Sequence, residues 1–346
     1  MMLKGIFALP ATMLLMLLLA ANFPDKHTIQ IFTISGQAQG TTFVIQYTAV
    51  HPMISHDEIR QLLNQLDSSL SQYKTYSLIN QFNTSATGIL ADAHLINVVN
   101  KALQISRASD GAFDITVKPL LSLWGFNTTA LKKIPSSDRI RQTMSAVGYQ
   151  KILIKDSMLT KTIPSLAIDC DGIAQGYSVD KIGELLQMKG IHHYQIELGG
   201  EVLVKGVALN NQPWNTSIDM LNGQHQQQEK ILHLNDEAVT TAGSFSKFSK
   251  LEGKYFGHII NPRNGKPIDN GMISATVICE DAMTADALDN AFMVMGYKQA
   301  MNYVRDKTKM GLYITYRTPD GSLKDTANAY FLKKISPFPA ASPHWQ

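Results

Sequence analysis

The chain has 346 residues, of which 45% are hydrophobic and 17% are charged, and its formal net charge is +3. This composition is typical of a folded globular protein with a sizeable core, and it excludes an intrinsically disordered chain. The sequence has no basic stripe and no long run of like charges, so it predicts no nucleic-acid partner.

The start of the chain has the pattern of a targeting sequence. Lys4 supplies a positive charge, and an almost wholly apolar run follows from Gly5 to Ala21. We predict that residues 1–21 are a signal peptide. The alternative is an uncleaved N-terminal anchor, although Pro10 interrupts the run and a membrane span needs about 20 apolar residues. Both interpretations predict a periplasmic protein, and the anchor would add an association with the inner membrane.

Residues 22–335 are predicted to form one domain. Its elements begin with a hairpin, 28–35 and 42–48, around a turn from Gly36 to Gly40, and a helix over 55–66 that opens with a Ser55/Glu58 capping box. Further helices are predicted over 94–106, 137–147, 173–189, 285–295 and 298–306. Further strands are predicted for the run ending at Cys170 and for 194–198, 202–208, 214–220, 228–234, 238–241, 274–279, 311–316 and 328–333.

The order of these elements predicts the fold class. Hairpins recur, and helices and strands alternate irregularly, which favours an α+β fold with mixed, largely antiparallel sheets over a doubly wound parallel sheet. The Pro-rich tail, residues 336–346, is predicted to be disordered. Cys170 and Cys279 lie in apolar runs and are interpreted as buried small side chains. A disulfide is compatible with export, but their spacing does not indicate one.

The first candidate site is the segment Ala112-Phe113-Asp114. Gly111 permits a close approach of a ligand to the backbone, and Phe113 offers a wall for a ring-shaped ligand. Asp114 lies in an apolar run and needs a partner if it is buried. A ligand contact and a structural aspartate bonded to a loop remain equal alternatives.

The second candidate site is the start of the helix after Asp169. Small residues, Gly172 and Gly176 among them, occupy its first turns, where exposed N–H groups suit an anion such as a diphosphate. The carboxylates of Asp169 and Asp171 could hold Mg²⁺ or bind a ribose or ring N–H. The alternative is that Asp171 only caps the helix.

Two more candidates lie in the second half of the chain. His258 precedes an apolar strand and a turn, and it is either a general base near neutral pH or a structural histidine. Asp286 and Asn290 are four residues apart on a helix that Thr284 is predicted to cap, so they share one face and offer oxygen ligands to a hard cation. The alternative is that Asp286 only favours the helix dipole. A weaker signal is the small polar stretch 240–244, predicted to be a turn whose N–H groups cradle phosphate.

These segments, in this order and spacing, resemble the ApbE family of FAD:protein FMN transferases. The resemblance extends from about Gly36 to about Val304 and is strongest in SDGAFDITVKPLLSLWGF, IDCDGIAQGYSVD, the Gly199-Gly200 pair, HIINPRNGKP and TADALDNA. It implies a mixed α/β protein that binds FAD with Mg²⁺ in a cleft. It also implies transfer of FMN to a Thr or Ser hydroxyl of a target protein with release of AMP. The expected partner is an acceptor redox protein, such as a respiratory quinone-reductase subunit.

The resemblance also assigns residues. It makes His258 the base and gives the metal to the Gly172 carbonyl, Asp286 and Asn290. It assigns flavin-nucleotide contacts to Gln39, Tyr73, Ala112, Phe113, Asp114, Asp169, Gln175 and Ile259.

Four positions depart from the family pattern. The family usually has Met where this chain has Gln39, Lys or Glu at Gln175, Thr at Asn290, and Thr-Ser-Gly where this chain has Thr-Ala-Gly over 241–243. Two alternatives therefore accompany the transferase: a metal-dependent FAD pyrophosphatase that gives FMN and AMP, and a non-catalytic flavin-binding protein. The sequence contains neither a GxGxxG fingerprint nor a P-loop, the common motifs for binding a nucleotide by other folds.

Overall fold

The structure is a computed structural model, and it describes residues 28–126, 133–221, 227–243, 248–251 and 254–335. The predicted signal peptide and the predicted disordered tail lie outside these ranges. Within them, no helix has both the length and the apolar character that crossing a bilayer would require.

Antiparallel strands dominate the described chain. Numbered along the sequence, they are β1 (Gln30–Ala38), β2 (Thr41–Ala49), β3 (Gly88–Leu90), β4 (Ile152–Lys155), β5 (Met158–Lys161), β6 (Tyr194–Leu198), β7 (Glu201–Lys205), β8 (Trp214–Leu221), β9 (Gln227–Leu234), β10 (Ala238–Gly243), β11 (Phe248–Leu251), β12 (Lys254–Gly257), β13 (Ile260–Asn261), β14 (Lys266–Pro267), β15 (Met272–Cys279), β16 (Gly311–Arg317) and β17 (Leu323–Ala327). Eight of them form the central sheet, in the order β1-β2-β6-β7-β10-β15-β16-β17. All its neighbouring strands are antiparallel, which confirms the predicted fold class.

The described helices, numbered along the sequence, are α1 (His56–Leu70), α2 (Leu78–Thr84), α3 (Ala93–Ala108), α4 (Lys118–Leu123), α5 (Ser137–Met144), α6 (Asp171–Met188), α7 (Ala282–Met295), α8 (Tyr297–Val304) and α9 (Ala329–Leu332). Two of them, α6 and α7, cover one face of the central sheet. Helix α6 packs on α7 and on strands β6 and β7, while α7 packs on β10 and β15. The main core lies between these two helices and alternate strand residues such as Ile196, Leu203 and Val277.

The opposite face of the sheet is partly covered. The β8–β9 hairpin and α9 pack there on the intervening residues, including Val202, Val239 and Tyr313. Strand β15 is buried on both faces along most of its length, whereas Glu197 of β6 and Thr241 of β10 are exposed on the partly covered face. Residues of one strand that point to opposite faces consequently belong to different sites.

The hairpin at the start of the domain is confirmed, but its turn is tighter than predicted. Strand pairing continues through Gly36, which faces Phe43, so only Gln39 and Gly40 form the turn. Their φ angles are 52° and 77°. Positive φ at both central residues matches the twist of the flanking strands. The predicted capping box is also confirmed, because Ser55 and Glu58 each bond the other's backbone N–H.

Two predicted strands are wrong. Residues 328–333 were expected to be extended, but Asn328 caps helix α9 by accepting the N–H of Phe331. The run ending at Cys170 is not a strand either, because it carries no ladder partner; its backbone instead bonds loop residues. The structure also contains α2, α4 and the three-stranded sheet β3-β5-β4, which were not predicted, and α5 ends at Met144 instead of residue 147.

Candidate active site

The Asp114 loop, residues Gly111–Asp114, is a buried and fully bonded segment. Asp114 Oδ1 accepts hydrogen bonds from the backbone N–H and the hydroxyl of Thr116, at 2.8 and 2.6 Å. Its Oδ2 accepts the N–H of Tyr149 at 2.9 Å. Burial raises the pKa of Asp114, and these hydrogen bonds oppose the rise. Both oxygens are therefore used within the chain, as the structural alternative expected, while Ala112 and Phe113 are buried beside them.

The segment that carries His258 is tied to the Asp114 loop. His258 is half-buried between β12 and β13, and Ile259 after it is buried. Further along the same segment, Arg263 donates to the carbonyl oxygens of Ser109 and Asp110, at 3.0 and 2.8 Å. Trp124 Nε1 donates to the Gly265 carbonyl at 2.8 Å. The turn after His258 is therefore fixed against the residues that enter and follow the Asp114 loop.

Asp169 connects the Asp114 loop to helix α6. Its N–H donates to the Ile115 carbonyl at 2.7 Å, and its Oδ1 accepts the N–H of Asp171 at 3.0 Å. The predicted cap is wrong: the cap position is Cys170, and Asp171 is the first residue of the helix. The side chain of Asp171 instead accepts a hydrogen bond from Gln72 Nε2 at 2.9 Å.

Tyr73 lies beside this acidic helix start. Its side chain is 79% exposed, and the charge of Asp171 is the largest cause that raises the pKa of Tyr73, followed by burial and by Asp169. Lys118 donates to Gln72, which also bonds Asp171, so one basic side chain stands next to this corner. A ring, a carboxylate pair and a lysine therefore meet at the start of α6.

The small residues at the start of α6 have different roles. A Cβ on Gly176 would lie 2.3 Å from the Ala282 carbonyl, so this glycine permits close packing of α6 on α7 and is not the ligand-facing residue the sequence predicted. Gly172 departs from helical geometry, with φ −88° and ψ 24°. A Cβ on Gly172 would lie 3.0 Å from Asn290 Nδ2, so its backbone directly faces the Asn290 side chain.

The structure brings the predicted metal ligands together. Asp286 Oδ2 accepts the N–H of Gly176 at 2.9 Å. Asn290 Nδ2 donates to the backbone carbonyl of Asp286 at 3.1 Å and to Asp289 Oδ1 at 3.0 Å. Gly172, Asp286 and Asn290 therefore surround one corner where α6 begins and the first turns of α7 pass. The cap of α7 is Asp281 and not the predicted Thr284, whose N–H and hydroxyl both donate to Asp281.

An acidic cluster of Asp286, Asp289 and Glu201 lies behind this corner. Burial raises the pKa of Asp286 well above its usual value, and the charges of Glu201 and Asp289 raise it further. Burial likewise raises the pKa of Asp289 well above its usual value and that of Glu201 to about 7. The Oε2 atom of Glu201 is buried and has no hydrogen-bond partner in the described part of the chain. The cluster therefore lacks positive charge that would stabilise its ionised form.

This donor set fits a hard cation. Asp286 supplies a carboxylate, Asn290 an amide and Gly172 a backbone carbonyl, which are the oxygen ligands that Mg²⁺ takes alongside water and phosphate. Among the described residues, no group of three or more His, Cys, Asp and Glu side chains is arranged to hold a metal. A cation here would therefore draw its remaining ligands from water or substrate, as Mg²⁺ commonly does.

Gln175 lies beside the Gly199-Gly200 turn that precedes Glu201. A Cβ on Gly199 would lie 1.9 Å from Gln175 Nε2 and 2.9 Å from a methyl carbon of Thr41. Gln39 is in the β1–β2 turn, and its side chain is hydrogen-bonded to Asp67. Burial raises the pKa of Asp67, and this hydrogen bond lowers it. Gln175 is thereby placed at the strand end that leads into the acidic cluster.

The stretch 240–243 is not a phosphate cradle. It belongs to β10, and residues from Thr240 to Gly243 pair with β15, so their backbone groups belong to a ladder. The prediction of a turn there is wrong for these residues, and Ser244 lies outside the described ranges. Thr240 is buried on the α7 side, and its hydroxyl lowers the pKa of Asp289 against the effect of burial.

A polar cavity of about 980 Å³ lies away from this site. It is bounded by β8 and by the sheet face opposite α7, with Glu197, Thr241 and Thr276 among its lining residues. Strand alternation places Glu201 and Thr240 on the other face. The cavity and the acidic cluster are therefore separated by the thickness of the sheet.

Sequence reasoning missed three carboxylates, of which Asp289 is buried and Asp180 and Glu201 are partly buried. Asp289 could have been found because it precedes Asn290 on the same helix, and Glu201 because it directly follows the Gly199-Gly200 pair. Asp180 accepts the N–H groups of Ala282 and Met283, at 2.8 and 2.9 Å, and so holds the start of α7 against α6. Burial raises its pKa to about 7. The two cysteines, Cys170 and Cys279, are buried and free, as interpreted from the sequence.

Comparison with known proteins places this site in context. A model of the ApbE family matches residues 39–314 of the chain. The chain is similar to the FAD:protein FMN transferase of Vibrio cholerae, with 32% identity over 311 residues that cover 88% of this chain and 92% of that protein. It is also similar to the FAD:protein FMN transferase of Escherichia coli, with 29% identity over 306 residues that cover 85% of this chain and 86% of that protein.

Solved structures give the same result. The flavin transferase ApbE from Vibrio cholerae matches with a TM-score of 0.79 and 30% identity, over 89% of this chain and 100% of that one. The apo form of the flavinyl transferase ApbE from Pseudomonas stutzeri matches with a TM-score of 0.80 and 28% identity, over 89% of this chain and 97% of that one. The likeness therefore extends over nearly the whole described domain.

Proposed function

The chain belongs to the ApbE family and is an enzyme of the FAD:protein FMN transferase type, and we propose that it transfers FMN to a threonine or serine hydroxyl in a Mg²⁺-dependent reaction that releases AMP. The observation that carries this proposal is the convergence of Gly172, Asp286 and Asn290 in front of a buried acidic cluster. Hard oxygen ligands beside uncompensated carboxylates suit the Mg²⁺ complex of a diphosphate.

The reaction exchanges one phosphorus–oxygen bond for another. The acceptor hydroxyl oxygen forms a bond to the phosphorus on the FMN side of the diphosphate. The bond from that phosphorus to the bridging oxygen breaks, and AMP leaves with the electron pair. The hydroxyl proton passes to a base, and the products are AMP and a phosphoester-linked flavin on the acceptor.

His258 is the proposed base. Imidazole is the side chain that enzymes most often use to accept a hydroxyl proton, a contribution of about 10²–10⁴-fold in rate. Its segment is tied through Arg263 and Trp124 to the residues that enter and follow the Asp114 loop, so the backbone that carries the imidazole is held in place. This restraint favours positioning, on which phosphoryl transfer chiefly depends.

The proposed metal ligands would each have a separate role in binding Mg²⁺. When bound, Mg²⁺ supplies charge neutralisation for the diphosphate and the departing AMP. Asp286, which the N–H of Gly176 holds in position, would bind the cation through its charge. Asn290 and the Gly172 carbonyl would add neutral oxygen donors. Water and phosphate oxygens would supply the remaining ligands.

Binding of the flavin nucleotide is assigned to the residues around this corner. Asp169 and Tyr73 stand at the start of α6, Gln175 stands beside Gly199, and Ala112 and Phe113 line the Asp114 loop. We propose an exported, periplasmic enzyme whose acceptor is a redox protein that presents a Thr or Ser to this cleft. Residues 1–21 would supply the export signal or an inner-membrane anchor.

The test is covalent labelling of an acceptor. The purified protein is incubated with FAD and a Thr-bearing acceptor domain, with and without Mg²⁺, and in-gel flavin fluorescence and AMP are both measured. The proposal expects Mg²⁺-dependent fluorescence of the acceptor with matching AMP. AMP without labelling of any acceptor would show a pyrophosphatase, and bound FAD without either product would show a carrier.

A histidine pair sharpens this test. We expect His258→Ala to slow labelling by about 10²–10⁴-fold while FAD binding is retained, because only the proton acceptor is lost. The matched control is His51→Ala, which changes an exposed histidine in the loop after β2. Equal labelling rates for the two variants would exclude His258 as the base.

A further inference from the structure

Asn290 is an unusual metal ligand because its side chain has two different ends. An amide presents either a carbonyl oxygen or an NH₂ group in the same place, and only the oxygen binds a cation. A carboxylate or a hydroxyl has no such ambiguity. Binding of a cation by Asn290 therefore requires an interaction that fixes the orientation of its amide.

The hydrogen bonds of Asn290 show how this orientation is fixed. Its Nδ2 donates to the Asp286 carbonyl at 3.1 Å and to Asp289 Oδ1 at 3.0 Å, which uses both N–H groups. Among the hydrogen bonds of the described residues, none ends on Asn290 Oδ1. The amide is thus held through its nitrogen, and its oxygen is the atom left for another ligand.

We propose that Asp289 is a positioning residue that locks the amide of Asn290 with Oδ1 available to the metal. The inference rests on the proposed metal site. Asp289 Oδ1 accepts an N–H of the amide, and a carbonyl oxygen in the same place could not donate that hydrogen bond, so this contact selects the NH₂ end of the amide. The backbone carbonyl of Asp286 is also an acceptor and reinforces the same choice.

The surroundings of Asp289 support a dedicated role. The residue is 2% exposed on helix α7, in a place where an apolar side chain would pack at no electrostatic cost. It neither caps α7, which Asp281 does, nor joins an ion pair in the described part of the chain. Among the described residues, its side-chain hydrogen bond goes to Asn290, and its charged neighbours include Glu201 and Asp286 of the same cluster.

The test is a double-mutant cycle that measures metal affinity. Mn²⁺ is titrated into the purified protein and the free ion is followed by electron paramagnetic resonance. Asp289→Asn is measured in the natural chain and in an Asn290→Thr background, where the ligand is a single hydroxyl oxygen that cannot be flipped. An amide at 289 offers donors as well as an acceptor, so it no longer selects one end of Asn290.

The expected result is a strong coupling between the two positions. Asp289→Asn should weaken Mn²⁺ binding by about 10–100-fold in the natural chain, the usual loss for a residue that orients a metal ligand. In the Asn290→Thr background the same change should cost much less, because only the charge of Asp289 is then lost. An equal loss in both backgrounds would overturn the proposal, as expected if Asp289 bound the ion directly. No loss in the natural chain would also overturn it.

Glu201→Gln is the matched control. It removes another carboxylate of the acidic cluster without a hydrogen bond to Asn290, so its effect on Mn²⁺ affinity should be the same in both backgrounds. If Asp289→Asn does not fold, as judged by circular dichroism, Asp289→Ala removes the acceptor in the same two backgrounds. A natural chain that labels an acceptor but shows additive losses would overturn this inference alone. One that neither binds Mn²⁺ nor labels an acceptor would overturn the proposed function with it.

Discussion

Two acidic regions of this protein differ in how many hydrogen bonds their carboxylates accept from the rest of the chain. In the Asp114 loop, N–H and hydroxyl groups of Thr116 and Tyr149 occupy both oxygens of one carboxylate. In the acidic cluster, Asp286 receives the N–H of Gly176, and the Oε2 atom of Glu201 receives nothing from the described residues. Burial raises the pKa in both regions, but only in the cluster do neighbouring carboxylates raise it further.

The difference separates a structural aspartate from a functional one. A carboxylate whose hydrogen bonds all come from its own chain has no remaining demand for a ligand. Carboxylates that raise one another's pKa would be stabilised by a bound cation. We therefore propose that the Asp114 loop is the frame of the site and that the acidic cluster is its reacting side.

The largest expected effect comes from the cluster. Asp286→Asn removes the only charged member of the proposed ligand set, and a metal contributes several kcal/mol to a phosphoryl transition state. We expect Mg²⁺-dependent AMP release and acceptor labelling to fall by at least about 10³-fold, the equivalent of about 4 kcal/mol. Full activity in this variant, measured by AMP release at saturating Mg²⁺, would show that the metal lies elsewhere.

The second effect comes from the frame. Asp114→Ala leaves the N–H of Tyr149 and both donors of Thr116 without an acceptor. Each buried donor without a hydrogen bond lowers the free energy of unfolding by about 1–3 kcal/mol. We expect the free energy of unfolding to fall by about 3 kcal/mol or more in urea titrations, with or without Mg²⁺. A stable Asp114→Ala variant that had lost only FAD binding would instead make this residue a ligand contact.

The third effect is a pH dependence of the metal-free protein. The pKa of Glu201 rises from 4.5 in the unfolded chain to about 7 in the folded one, and Asp180 makes a contribution of the same sign. Because the folded state binds these protons more tightly, their stabilisation is complete below pH 4.5 and is lost as the pH rises through about 7. We expect the metal-free protein to lose at least about 1.4 kcal/mol over this window, the equivalent of one pKa unit.

Mg²⁺ provides the control for that pH dependence. A bound cation lowers the pKa values of the cluster, so saturating Mg²⁺ should reduce the slope of stability against pH, while the part due to Asp180 persists. Thermal unfolding from pH 4.5 to 8 with and without Mg²⁺ measures both slopes. A metal-free protein that became more stable with rising pH would contradict the sign of this account.

The smallest effect is a stabilisation. Glu201→Gln replaces an unpartnered buried charge by a neutral amide of similar size, so at pH 8 the metal-free protein should gain about 1 kcal/mol in its free energy of unfolding. The gain should vanish near pH 4.5, where Glu201 is protonated. The matched control is Glu229→Gln, which changes an exposed carboxylate on strand β9. A loss of stability at pH 8 in Glu201→Gln alone would indicate a partner for its carboxylate.

Local patterns in the sequence were sufficient for most of the fold. The capping box at Ser55 and the alternation of 274–279 predicted their elements because the cause lies within a few residues. The error at 328–333 has a local cause too: the β-rich composition of that run concealed the cap that Asn328 supplies. The misplaced turn at 240–243 is different, because its ladder partner in β15 is more than thirty residues away along the chain.

The site could be predicted only in part for the same reason. Asp286 and Asn290 share a face of one helix, so four-residue spacing was enough to pair them. Their meeting with Gly172 depends on the crossing of α6 and α7, which the sequence does not encode locally. Glu201 joins the cluster from a strand far away in sequence, and its missing partner is visible only when every neighbour has been placed.

One measurement tests the central claim most directly: the effect of Mg²⁺ on thermal unfolding of the natural chain and of Asp286→Asn, at pH 8 and with FAD present. A ligand that binds only the folded state stabilises it by about 2.7 kcal/mol at a hundred times its dissociation constant. The account predicts a clear rise in the unfolding temperature of the natural chain and none in Asp286→Asn. Equal responses in the two proteins, or no response in either, would contradict the assignment of the acidic cluster to a metal.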